Sequence, residues 1–167
     1  MTAIENKSLI QNIMEARARR DHASFIAAMA DDFIWRIIGT TPWSGEYIGK
    51  TDVCERLLKP LYSQFLAPSS ITAARILADG DYVVVQCNGD ATTVSGERYA
   101  NTYCLVIRMA DGQLREMTEY CDTALIERVL QPPAWRSIDK SNDGSQAGFV
   151  GLILLPCCPL WRRCRVG

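Results

Sequence analysis

Three short runs hold the residues best suited to chemistry. They are Gln86-Cys87-Asn88-Gly89-Asp90, Tyr99-Ala100-Asn101-Thr102-Tyr103 and Glu119-Tyr120-Cys121-Asp122, each within a strand-like segment. Successive side chains on a strand point to opposite faces. At period two, Gln86, Asn88 and Asp90 share one face, joined by Asn101 and Tyr103 on the next strand and Glu119 on the third. The other face carries Val83, Val85 and Cys87, then Cys104 and Val106, then Leu114. A polar face this consistent either meets water or lines a wet pocket. In a pocket, Glu119 and Asp90 are the groups able to take or give a proton, and Tyr103 and the amides supply hydrogen bonds.

The elements that must position these runs are readable from pattern. Thr2-Ala3-Ile4-Glu5 has the form of a capping box, and Leu9, Ile10, Ile13 and Met14 follow at helical spacing. Asp21 is placed to cap a second helix with Phe25, Ile26 and Met29 on its apolar side. Phe33 to Ile38 reads as a buried strand, and Gly39 to Gly49 as a turn-rich loop whose Trp43 and Tyr47 either close a pocket mouth or pack under the loop. A third helix runs through Val53, Leu57, Leu58 and Leu61, interrupted at Pro60. Asp79-Gly80, Ser95-Gly96 and Asp111-Gly112 sit between alternating apolar runs and are hairpin signals. They define four antiparallel strands: Ile71 to Ala78, Tyr82 to Thr93, Arg98 to Met109 and Gln113 to Cys121. Asp122 then caps a closing helix from Thr123 to Leu130, stopped by Pro132-Pro133. The class is α+β. One domain is expected over residues 1–135, with a linker and an atypical apolar and basic tail over 136–167.

Bulk properties exclude several roles. The chain has 167 residues and a formal net charge of −1, which gives no electrostatic reason to expect nucleic acid or an anionic membrane as partner. The apolar run in the tail is too short to cross a bilayer. The opening MTAIENKSLI lacks the pattern of a secretory signal, so a cytoplasmic protein is expected. Seven cysteines are present with no C-x-x-C pair, and there is one histidine, so no metal site is expected. His22 reads as solvated, as does the basic cluster Arg17, Arg19 and Arg20.

The segments ADDFIWRIIGTTPWSGEYIGK and YANTYCLVIRMADGQLREMTEYCDTAL, with the spacing between them, resemble SnoaL-like members of the nuclear transport factor 2-like superfamily over about Asn6 to Leu130. That resemblance implies a cone-shaped α+β barrel, in which a strongly curved, mainly antiparallel sheet wraps three N-terminal helices around a deep pocket. It also implies a homodimer and no cofactor. The concave face would then bring Gln86, Asn88, Asp90, Asn101, Tyr103 and Glu119 into the pocket, with Trp35, Ile37, Met117 and Cys121 as apolar wall. Against the limonene-epoxide-hydrolase-like branch, Gln86 falls at the position of a catalytic Arg, Asn88 at that of an Asp, and Glu119 at that of a second Asp. Two charges of that branch are therefore amides here.

The sequence thus predicts an enzyme for a small hydrophobic or polycyclic molecule, of isomerase, cyclase or dehydratase type. Glu119 is the acid/base, with Tyr103 and Asp90 as further catalytic candidates. Gln86, Asn88, Asn101, Trp35, Ile37, Met117 and Cys121 would bind substrate. The alternatives are a non-catalytic binder using the same pocket, an epoxide hydrolase with an altered site, and an interaction domain whose pocket is plugged.

Overall fold

The computed structural model describes residues 1–139; the tail from Lys140 onward lies outside the described residues. Helix α1 (Ala3–Ala18) starts at the expected capping box, with Thr2 and Glu5 each accepting from the other's backbone. Asn6, Ile10, Ile13, Met14 and Arg17 form its buried stripe. Helix α2 (Ala23–Ala28) follows with His22, not the expected Asp21, at its N-cap; Asp21, one residue earlier, accepts from the Ala23 N–H at 2.9 Å. Strand β1 (Met29–Ile37) begins four residues before the expected Phe33. The predicted Gly39–Gly49 loop contains a short strand, β2 (Gly45–Ile48), antiparallel to β1.

The third helical region is α3 (Lys50–Asp52), a π-helical stretch (Val53–Leu58) and α4 (Lys59–Tyr62). Pro60 has no N–H to offer the carbonyl of Arg56, one turn earlier. That carbonyl instead accepts from the indole Nε1 of Trp135 at 2.9 Å. Strands β3 (Ser70–Asp79), β4 (Tyr82–Thr92), β5 (Arg98–Tyr99), β6 (Thr102–Ala110) and β7 (Gln113–Cys121) then form the meander, the expected third strand being split at Ala100-Asn101. The β6–β7 turn has Asp111 and Gly112 both at positive φ (53° and 74°), the conformation that two-residue hairpins favour. Helix α5 (Thr123–Val129) closes the chain path as expected, and α6 (Ala134–Asp139) crosses the position where the sequence reading ends the domain.

The sheet order is β2-β1-β7-β6-β4-β3, with β5 on β4. All pairs are antiparallel except β1 with β7. The result is a curled mixed sheet closed over the helices, the cone-shaped α+β fold. Its concave face carries rows set by register: Val83, Ile107 and Met117 in one, and Val85, Leu105, Glu119 and Ile37 in the next. The convex face carries Arg36, Glu46, Arg108 and Glu116, linked by ion pairs that hold the Glu116 carboxyl below its usual range.

Asp122 accepts from the Leu125 N–H at 3.1 Å and so caps α5, as the sequence predicts. Asp122→Ala is expected to lower unfolding free energy by about 1 kcal/mol in urea titrations.

Candidate functional site

The concave face and the helices enclose a cavity of about 60 Å³. Trp35 and Ile37 of β1, Leu105 of β6 and Glu119 of β7 form its sheet wall, and Arg17, Leu57, Leu58, Tyr62 and Ile126 come from the helices. Tyr99, Tyr103, Cys87, Gly89 and Phe65 close one end. The void is smaller than the roughly 150 Å³ apolar cavity that accepts a benzene ring.

Glu119 stands in this wall because its strand pairs Glu119 with Leu105 on one side and Ile37 on the other, both inward-facing. Its Oε2 accepts from Trp35 Nε1 at 3.2 Å, and the Cys121 thiol also hydrogen-bonds the carboxyl. Burial dominates and raises its pKa from 4.5 to about 7. The positive charge of Arg17 and the hydrogen bonds from Trp35 and Cys121 pull the other way.

Arg17 is only 7% exposed. Its guanidinium carbon lies 4.3 Å from the centre of the Phe25 ring, and it sits in the last turn of α1, where the helix dipole favours a cation. Its Nε and Nη1 are buried with no hydrogen-bond partner among the described residues. His22 is also buried, its ring 5.3 Å from that of Tyr62. The Ser69 carbonyl at 2.9 Å can only accept, so Nε2 carries the proton, and Nδ1 is buried with no partner among the described residues. Burial first, and Arg17 second, push the His22 pKa down to about 4.

At the closed end, Tyr103 donates its hydroxyl proton to the Tyr99 hydroxyl at 3.4 Å, and Asn101 Nδ2 donates to the same oxygen at 3.0 Å. Tyr99 therefore accepts twice, and its own proton is available to the cavity. Burial raises the pKa of Tyr99 to about 12 and that of Tyr103 well above 10, so both remain donors at neutral pH. Gly89 makes room for this pair. A Cβ there would stand 2.9 Å from Tyr103 Cε2 and 3.1 Å from Ile71 Cδ1.

Residues 10–117, more than half of the chain, match the family model described as the SnoaL-like domain. The protein belongs to the SnoaL-like family. No curated protein matches the chain. Among solved structures, a proposed SnoaL-like polyketide cyclase from Jannaschia sp. CCS1 is similar at 15% identity and TM-score 0.64, covering 79% of this chain and 95% of that one. Bal32a, from a soil-derived mobile gene cassette, is similar at 14% identity and TM-score 0.67, covering 77% and 98%. A proposed isomerase from Bacillus subtilis is similar at 17% identity and TM-score 0.64, covering 77% and 95%. These likenesses establish that this SnoaL-like chain has the fold of the nuclear transport factor 2-like superfamily. Among the described residues, no helix is long and apolar enough to cross a membrane.

Several expected site residues lie elsewhere in this SnoaL-like domain. Gln86 and Asn88 are exposed on the convex face, because Val83, Val85 and Cys87 of the same strand turn toward the helices. Asp90 is at the cavity rim by chain position, but its half-exposed carboxylate pairs with Arg98 Nε at 2.9 Å. Asn101 is buried, yet both ends of its amide are engaged: Nδ2 also donates to the Asp122 carbonyl, and Oδ1 accepts from the Asp122 N–H. It clamps the turn into α5 rather than facing the void. Met117 is fully buried core on the same face, one row away from the cavity lining, and Cys121 reaches the site through Glu119. Tyr47 packs beneath its loop with its hydroxyl on the Trp43 carbonyl, whereas Trp43, its Nε1 donating to the Gln131 carbonyl, is buried and also lines the cavity. Arg17 and His22, read from sequence as solvated, are both interior. The stripe Asn6, Ile10, Ile13, Arg17 follows helical spacing and was the signal available for Arg17.

The raised carboxyl has a consequence for stability. A Glu119 pKa near 7 in the folded state against 4.5 unfolded means that the folded state holds the proton more tightly. Its contribution is therefore full below pH 4.5 and is lost as pH rises toward 7, by roughly 3 kcal/mol in total. Glu119→Gln removes that dependence. Between pH 4 and pH 8 the stability difference should move by about 3 kcal/mol in the variant's favour, read by denaturant titration at each pH.

Proposed function

We propose that this SnoaL-like protein is a cofactor-free enzyme of isomerase, cyclase or dehydratase type, with Glu119 as the group that moves the proton. The observation that carries this reading is a carboxyl with a pKa near 7 in the wall of a cavity, beside two tyrosine hydroxyls that stay protonated. A general base is most effective when its pKa lies near the working pH. Ionised Glu119 would take a proton from carbon beside a substrate carbonyl, and the Tyr99 hydroxyl would donate a hydrogen bond to the developing enolate oxygen. The proton then returns from Glu119 to another carbon or to a leaving oxygen. The cyclase and isomerase descriptions of two structural neighbours are in line with such chemistry. The cavity volume narrows the substrate to a small molecule or the reacting end of a larger one.

A non-catalytic binder using the same pocket would draw on the amides Gln86 and Asn88 to recognise its ligand, and both are exposed on the convex face. The same exposure takes two of the three positions equated with the epoxide hydrolase constellation out of the cavity. A homodimer through the convex face is proposed on the exposure there of Ile48, Leu77, Tyr82 and Tyr120, and a cytoplasmic location on the free thiols Cys54, Cys87, Cys104 and Cys121.

Deuterium uptake from heavy water into a panel of small enolisable ketones, followed by NMR, tests the chemistry. The parent protein should accelerate exchange for at least one member, with a rate that rises with pH through about 7, and Glu119→Gln should lose about a thousandfold or more. A Glu119→Gln variant as active as the parent would refute the assignment.

A further inference from the structure

Among the described residues Arg17 forms no ion pair, although its charge acts on Glu119 across the cavity. A guanidinium does not give up its proton in proteins, so burial cannot be relieved by neutralising it. The Phe25 face and the end of α1 offset only part of that desolvation, and Nε and Nη1 remain unpartnered. Glu119 lies in the same cavity but makes no ion pair with Arg17 among the described residues, and burial keeps its carboxyl from being fully ionised at neutral pH. Among the described residues, no lysine and no second arginine lines the void. The compensation required is therefore a single negative charge on a small group, and a carboxylate matches the planar donor fork of arginine.

We propose that Arg17 is an anion-binding subsite of the cavity and that its ligand is a small carboxylate whose apolar body packs against Leu57, Phe65 and Ile126. This rests on reading the cavity as the substrate site, and it names the substrate class. Arg17 is thus a binding residue that anchors the acid at the helical side, while Glu119 and Tyr99 address the remainder of the molecule. A dianion such as phosphate finds too few donors here.

The Trp35 indole N–H, beside Glu119, reports on occupancy in proton–nitrogen NMR spectra. Titration with butyrate and with butyramide, its uncharged counterpart, should give saturable shifts with butyrate bound at least about tenfold more tightly. Arg17→Met should abolish that preference. Arg17→Lys, which keeps the charge without the fork, should retain part of it and covers the case in which the methionine variant does not fold. Glu119→Gln should keep the preference whether or not Glu119 moves protons, so the anion subsite and the proposed chemistry fail separately. Equal affinity for the two ligands, no saturable shift with butyrate, or a full preference in Arg17→Met would overturn the proposal.

Discussion

Burial of the concave face against the helices fixes the position of everything else in the domain. Val83, Val85, Cys87, Leu105, Ile107 and Met117 share that face, and each is almost fully shielded from solvent. Helices α1, α2, the π-helical stretch and α5 contribute Ile10, Phe25, Leu57 and Ile126 to the same cluster. Any ionisable group placed among them loses hydration, and the neighbouring charges set only the remainder. The order of causes acting on Glu119 reflects this: burial outweighs Arg17 and two hydrogen bonds together.

The hairpin frame was legible because its signals are local. Asp-Gly and Ser-Gly pairs mark the turns, and Asp111 and Gly112 adopt the positive φ values that such a turn demands. The capping box at Thr2, the cap at Asp122 and the place of Glu119 among apolar neighbours were legible for the same reason. The facing of β4 was not. Its alternation was read correctly, but the apolar side, not the polar one, covers the helices, which sends Gln86 and Asn88 outward. The phase of Glu119 relative to Leu114 depends on an extra residue in β7, Arg115, where the register with β6 shifts opposite Arg108 and Met109, which lets Leu114 and Met117 both turn inward. A strict period of two has no means of registering that extra residue. Strand β2 was hidden by its glycine and proline surroundings, and Arg17 by the exposed Arg19 and Arg20 beside it.

The interior carboxyl and the interior imidazole make opposing demands on pH. Glu119 favours the folded state when protonated, whereas His22, with its pKa lowered from 6.5 to about 4, favours it when neutral. The His22 contribution is present above pH 6.5 and is lost as pH falls toward 4. Arg17 acts on both, easing ionisation of the acid and opposing that of the imidazole. The interior is thus electrostatically linked even though these three side chains share no hydrogen bond.

The proline in the third helical region has a mechanical corollary. Because the Arg56 carbonyl is held by Trp135, and the Arg56 and Arg136 guanidinium groups lie 4.5 Å and 4.8 Å from the Trp135 rings, α6 is tied to the backbone segment that also presents Leu57 and Leu58 to the cavity. A helix at the far end of the described chain is therefore fastened to the cavity roof. A displacement of α6 would bear on the same backbone that sets Leu57 and Leu58 against the cavity.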